Sequence, residues 1–533
     1  MKSVETASSE NIAVLRQALH WIDDRAETLR EECKRRKWLL LTAVSSLYLL
    51  ATGVLAWYKP MWNDEMFTYF IARAPTLSSV WSALLTGADQ NPFPFYVLSR
   101  WSMSLFGANE FALRLPEMIG VWVAGLCLFH IVARRTEPLF GLVAMVFLFV
   151  TGANFYSYEA RPYGLVLAFS SLAWLCWQHA TDGPWRRLSL LGLFTSLAAA
   201  VCSHYYAVFV LVPLGAGELV RSLVRRRVDW PIWASMMGAL SPLFFMFPLI
   251  LKARSYSLGF WARPSLGSIP DAYSVLLVPP PLVALSALIL GATYLLMRSA
   301  ESERRSVSRY SPIPPHEAAV AVGFVALPII TVLTTMMTTR AFTFRYALPA
   351  VLGVCVLAAL SMARLSRKHA FVGIAILSLS CLEFCMLSAR NFRGTQETSF
   401  GRVYDLVGRE PDRSLPVVVS DAHSFMELSH YAPRDLSVRL VYLADPKAAL
   451  RRLGYDTVDR GILDLKPWFG FRIEEYAPYL QAQPKFLVYV RTGRLSGLNW
   501  LITELASAQY HIELRARIND HLLFLVTSKG MPS

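Results

Sequence analysis

The sequence predicts a polytopic α-helical membrane protein, with about eleven transmembrane helices, that ends in a small α/β domain outside the membrane. Three observations carry this. The 533 residues are 54% hydrophobic and only 17% charged, with a mean hydropathy of +0.39, a composition foreign to a soluble multidomain protein. Stretches long enough to cross a hydrocarbon core recur along the first three quarters of the chain. The last part, from residue 388, instead alternates short β-rich runs with amphipathic stretches.

The candidate spans fall near 38–57, 111–133, 139–157, 162–180, 188–203, 205–222, 231–251, 275–297, 317–337, 345–363 and 370–387. Several contain proline (213, 242, 248, 328 and 349), which a bundled helix tolerates because its neighbours satisfy the freed backbone groups. The chain opens with a polar segment, 1–37, whose basic run Lys34-Arg35-Arg36-Lys37 leads into a full-length span. It reads as a retained cytoplasmic segment ahead of an anchor. Seven cysteines, none of them in the polar last quarter, imply no disulfide framework.

Orientation follows from the cations of the short loops. Arg134-Arg135, Arg186-Arg187, Arg225 to Arg227, Arg304-Arg305 and Arg367-Lys368 occupy every second connection. That side is cytoplasmic by the positive-inside rule. The 58–110 loop, the Tyr158–Pro162 turn, the 252–274 and 338–345 loops and the domain 388–533 then face outward from a plasma (inner) membrane. The formal charge of +14 divides accordingly: eight basic and seven acidic residues in 1–37, 25 and 15 in the membrane part, 19 and 16 in the tail. It records topology, and no nucleic-acid partner is implied.

The tail offers strands at Val417–Ser420, Val438–Leu443, Phe486–Val490 and Leu522–Val526, and helices near 421–431, 446–453, 473–482 and 497–509. The first outer loop is long and aromatic, and Phe67–Ala74 and Val80–Leu85 are patterned as helices lying along the interface. No P-loop, GxGxxG, zinc-ligand spacing or internal repeat is present.

Chemistry concentrates in the outward segments. Trp62-Asn63-Asp64-Glu65 places two adjacent carboxylates at the membrane surface, either as a helix cap and first-turn acids or as a base whose pKa burial would raise. Asn91-Pro92-Phe93-Pro94-Phe95-Tyr96 follows in the same loop. Tyr158-Glu159-Ala160-Arg161-Pro162-Tyr163 puts ionisable residues in a tight turn between apolar helices, where they are expensive and by default functional. Its alternative is an ion pair or snorkelling at the interface. Lys252, Arg254, Arg263, Arg340, Arg345-Tyr346 and His204 face the same way, and arginine suits phosphate oxygens. Together they suit a negatively charged lipid headgroup.

These segments resemble those of polytopic glycosyltransferases that use polyprenyl-phosphate sugars, the GT-C fold. The group includes the dolichyl-phosphate-mannose protein mannosyltransferases, the aminoarabinose transferases of lipid A and the rhizobial galacturonosyltransferases. Trp62 to Glu65 resembles the acidic pair of the first loop, Asn91 to Tyr96 an HPPLYY-like segment, Glu159 to Tyr163 an EARxY turn, and Phe344-Arg345-Tyr346 an RY element. Asn91 stands where the pattern has His, and Phe93 where it has the second Pro.

The resemblance implies a donor of polyprenyl-phosphate sugar, a glycan, lipid or protein acceptor, and an inverting transfer on the outer face. Asp64 would be the general base, Glu65 its support, and Arg161, Arg345, His204 and Lys252 the ligands of the donor phosphate. Glu159, Tyr163, Asn91, Tyr96 and Tyr346 would line the substrate. No cofactor or bound metal is required, because a lipid monophosphate leaves without one. The rival readings are a lipid-linked glycan transporter, for which repeat symmetry is missing, and a silent scaffold of the same fold.

Overall fold

The computed structural model describes Trp21 and residues 24–257, 259–277, 313–365, 370–396, 400–408, 410, 412–492 and 499–528. Helix dominates up to residue 408, and a six-stranded sheet organises the rest.

Among the described residues, five helices are long and apolar enough to cross a membrane: Lys37–Tyr58, Glu110–Ala133, Tyr205–Arg225, Trp230–Arg254 and Phe371–Thr395. The pair Pro315–Val325 and Leu327–Met337 is long and apolar enough together to make a sixth, and is bent by 54° at its break. Pro328, in the first turn of its second half, supplies no backbone N–H to continue the first helix. The spans expected at 139–157 and 345–363 are shorter apolar helices, Pro138–Val150 and Ala350–Arg364. Those at 162–180 and 188–203 fall on the less apolar helices Tyr163–Asp182 and Arg186–Ser203. The span at 275–297 lies almost wholly outside the described residues.

Pro138–Val150 is apolar all round and buried along nearly its whole length, so it forms the centre of the bundle. Glu110–Ala133 packs beside Tyr163–Asp182, and Gly120 makes the approach close. A Cβ on Gly120 would collide with the backbone of Gly164 and Leu165. That contact pulls the start of the second helix, and the turn before it, onto the helix that carries Arg114.

The 58–110 loop folds into three helices, Asn63–Ala72, Leu77–Leu84 and Phe93–Phe106. Their apolar faces do not simply lie on lipid. Phe67 and Phe70 meet Phe469 edge-on at centroid distances of 5.3 and 5.6 Å, and Phe70 meets Phe471 at 5.0 Å. The loop and the tail share one hydrophobic core. Tyr431 ties them further, accepting a hydrogen bond from Met61 N at 2.8 Å and donating to Glu110 Oε1 at 2.7 Å.

In the tail, β1 (Val417–Val419), β2 (Leu440–Ala444), β3 (Ile473–Glu475), β4 (Lys485–Arg491), β5 (His511–Ile518) and β6 (His521–Thr527) form a sheet in the order β3-β2-β1-β4-β6-β5. The first four are parallel and β6 and β5 antiparallel, with helices on both faces as a parallel sheet requires. The expected tail helices appear as Ala422–Tyr431, Pro446–Leu453, Tyr476–Ala482 and Leu501–Ser507. The helix Thr457–Phe469 and strands β3 and β5 are additions. The last membrane helix runs on to Gln396, nine residues past the expected boundary.

Candidate active site

A cavity of about 280 Å³ lies where the 58–110 loop, the 158–163 turn, the 204–206 turn, the loop after Trp230–Arg254, the segment before Ala350 and the tail meet. Asp64, Asn91, Arg161, Tyr163, His204, Arg345 and Tyr346 all face it. Asp64 and Arg345, 281 positions apart in the chain, are thus brought together on its wall.

Asp64 occupies the second position of its helix. Trp62 holds the N-cap place without a side-chain cap, so neither Asn63 nor Asp64 caps the helix. The Asp64 carboxylate is free to point into the cavity. Its Oδ2 accepts a hydrogen bond from Arg345 Nη1 at 3.1 Å and lies 4.0 Å from Arg161 Nε. Burial pushes this carboxyl up, as the sequence suggests, but Arg345 and Arg161, with His423 of the tail, pull it below the ordinary aspartate range. Asp64 is therefore ionised at neutral pH.

Arg161 is held in a fork. Its Nη1 and Nη2 donate to Asp89 Oδ2 and Oδ1 at 3.0 and 3.2 Å, and Nη1 also donates to the Asp64 backbone oxygen at 3.1 Å. Its Nε is buried with no hydrogen-bond partner. A buried guanidinium with an unfilled donor beside a cavity is a ready anion ligand. Arg345 lies over the Tyr163 ring at 5.7 Å and donates from Nε to Thr343 Oγ1 at 3.2 Å.

His204 enters the site as a neutral ring. Burial, then Arg161 and Arg345, lower its pKa to about 3. Its Nδ1 accepts from Tyr206 N at 3.2 Å, which leaves Nε2 as the protonated nitrogen. It can donate one hydrogen bond to a ligand in the cavity but adds no charge to the site. Tyr163, Tyr206 and Tyr346 surround it at 5.4, 5.7 and 5.2 Å, and Tyr206 and Tyr346 stack at 4.2 Å.

Four expected site residues lie elsewhere. Glu65 is fully buried and turned away from the cavity, where its carboxylate accepts Arg114 Nε and Nη2 at 2.6 and 2.7 Å, Ala160 N at 2.7 Å and Trp62 N at 3.3 Å. Arg114 in turn donates to the backbone oxygens of Ala56, Lys59 and Pro60. This carboxylate joins three segments and has no room for a substrate. Glu159 is also buried, both its oxygens lack partners, and burial pushes its pKa up to about 7. Tyr96 is buried behind Asn91, whose Nδ2 reaches its hydroxyl at 3.5 Å. Lys252 is exposed, and Arg254 of the same helix faces the cavity instead.

Two contributors were not anticipated. Asp89, which orients Arg161 and accepts Asn91 Nδ2 at 3.0 Å, stands two residues before the proline-aromatic segment, in a turn where Gly87 has φ of +85°. A Cβ there would lie 2.7 Å from the Lys252 oxygen, so only glycine fits. The proximity of Asp89 to Asn91 in the sequence was the available signal. The other contributor is the tail, whose Thr457 and Val458 line the cavity. Tyr256, also lining, donates to Asp464 of the same tail helix, while Arg460 stacks over the Tyr256 ring at 4.1 Å. No group of His, Cys, Asp and Glu suited to a metal occurs among the described residues.

Residues 89–251 match the family model of the dolichyl-phosphate-mannose-protein mannosyltransferases. No curated protein gives a significant match. Among solved structures, ArnT from Cupriavidus metallidurans in the apo state superposes with a TM-score of 0.54 at 12% identity, covering 92% of this chain and 98% of that one. The same protein bound to undecaprenyl phosphate gives 0.53 at 13%, with the same coverage. This chain has the ArnT-like GT-C fold, is an integral membrane protein, and bears out the resemblance read from its motifs.

Proposed function

We propose that this protein is an inverting glycosyltransferase that moves a sugar from a polyprenyl-phosphate carrier to an acceptor hydroxyl on the outer face of the membrane. The observation that carries the reading is the ionised Asp64 carboxylate held between Arg345 and Arg161 in a cavity that opens beneath the tail. The likeness to a protein seen with undecaprenyl phosphate supports a carrier of that class.

The two arginines hold the carrier phosphate, with a hydrogen bond from His204 Nε2. Binding of that anion offsets the positive field now lowering the Asp64 pKa. Its carboxylate becomes a stronger base when the donor is in place. Asp64 then takes the acceptor's O–H proton as the acceptor oxygen bonds to the anomeric carbon. The bond from that carbon to the phosphate oxygen breaks, and its electron pair leaves with the lipid phosphate. Arg161 and Arg345 stabilise the charge that develops there. Approach from the face opposite the phosphate inverts the anomeric centre. Asp89 orients Arg161, and Glu65 with Arg114 holds the Asp64 helix in register.

The test is transfer from a polyprenyl-phosphate sugar by the purified chain in liposomes. Wild type is expected to release free polyprenyl phosphate in step with acceptor glycosylation, and Arg161→Ala to release none. Equal turnover by both would overturn the assignment of the site.

A further inference from the structure

A second cavity, of about 700 Å³, opens at the other end of the bundle. It lies at the far end of the Glu110–Ala133 helix, whose 24 residues span roughly 36 Å. Lys34, Lys37, Trp38, Phe129, Arg134 and Glu137 contribute to its wall. We propose that it is a binding site for the phosphate headgroup of an anionic diacyl phospholipid from the surrounding leaflet. The inference is independent of the Asp64 site.

Charge complementarity selects this occupant. Glu137 is the one carboxylate among the described residues of the wall, and it is already matched. Arg30 donates to its two oxygens at 2.6 and 2.8 Å, and Lys34 lies 3.6 Å away. Lys34 also pairs with Glu31 at 2.6 Å, and Arg134 with Asp182 at 2.5 Å and with His179 Nδ1 at 2.8 Å. Those contacts fix the two side chains without exhausting their donors. Lys37 has no acidic partner among the described residues, and its ammonium lies over the Trp38 ring at 5.3 Å. Among the described residues the wall itself carries three cations and one carboxylate, and Arg30, which matches Glu137, also pairs with Glu27 at 3.0 Å.

The apolar half of the wall gives the second part of the argument. Trp38 is 60% exposed and stands with Phe129, Ala133 and Pro138 beside the cations. An indole at a helix end beside lysines is the pattern of a membrane–water interface. A phosphate can sit against Lys34, Lys37 and Arg134 while its acyl chains run down past Trp38. A soluble phosphate would leave that aromatic wall uncovered. Basic pockets between helix ends take anionic lipid headgroups on these grounds.

The experiment is native mass spectrometry of the detergent-purified full chain with phosphatidylglycerol, with phosphatidylcholine of the same acyl chains, and with glycerol 1-phosphate. The wild type is expected to retain phosphatidylglycerol at least fivefold more than phosphatidylcholine. Lys34→Gln combined with Lys37→Gln should remove that preference with an unchanged melting temperature, and Lys37→Arg should keep it. Arg161→Ala, at the opposite end, should leave the lysine-dependent retention intact. Equal retention of the two lipids by wild type, an undiminished preference in the double variant, or full displacement by equimolar glycerol 1-phosphate would each overturn the proposal.

Discussion

Arg345 reaches across 281 residues of sequence to donate to Asp64 Oδ2 at 3.1 Å, joining the last third of the helical bundle to the 58–110 loop. The pair makes the carboxylate available and weak at once. Its basicity depends on what else occupies the guanidinium.

Glu65 and Arg114, both fully buried, form a bidentate pair that anchors the Asp64 helix. Removing one partner strands a buried charge, at a cost on the order of 3–5 kcal/mol. Glu65→Ala and Arg114→Ala should each lower the melting temperature of the purified protein sharply. In Glu65→Gln, transfer and melting temperature should fall together. A large loss of transfer with an unchanged melting temperature would instead give Glu65 a chemical role.

Glu159 provides a pH prediction. Its folded pKa, pushed up by burial to about 7, lies above the unfolded value of about 4.3. Its stabilising contribution is complete below the unfolded value and is lost as pH rises through the folded one. The melting temperature of wild type should therefore fall, relative to Glu159→Gln, between pH 5 and pH 8. Parallel curves for the two proteins would remove the basis for this reading.

His204, with a pKa near 3, does not titrate in the working range. Substitution by Gln should keep the shape of the rate profile between pH 5 and 8 while raising the donor KM several-fold. An acidic limb near pH 6 that disappears in His204→Gln would show that the ring is charged during turnover.

Much of the fold was legible because membrane spans announce themselves by length and apolarity. The motifs at Asp64, Arg161 and Arg345 were legible because charges at apolar turns are costly enough to stand out. What the sequence hid was pairing. Adjacent carboxylates at 64 and 65 look equivalent in one dimension, yet successive helix positions point about 100° apart. One therefore faces the cavity and the other faces Arg114. Asp89 was missed because a lone acid in a polar loop has many ordinary explanations. Strand β5 was missed although His511 to Ile518 alternates polar with apolar residues, because its charges mark a solvent-facing edge. The tail's share in the cavity depends on long-range contacts that no local pattern encodes.

Thr457 and Val458 test that share. A Val458→Trp substitution places a large ring in the cavity wall contributed by the tail. It should lower transfer more than tenfold while the melting temperature stays within about 2 °C of wild type. Wild-type turnover in that variant would place the substrate path elsewhere.

The central claim is that Asp64 does the proton chemistry while Arg345 and Arg161 hold the phosphate. It is tested most directly by measuring polyprenyl-phosphate binding and sugar transfer side by side in Asp64→Asn and Arg345→Ala. The account predicts that Asp64→Asn loses transfer by 10²- to 10⁴-fold, the usual range for a general base, yet binds the carrier phosphate as tightly as wild type or more so, because a competing carboxylate is gone. Arg345→Ala should lose both. Undiminished transfer in Asp64→Asn, or undiminished carrier binding in Arg345→Ala, would contradict it.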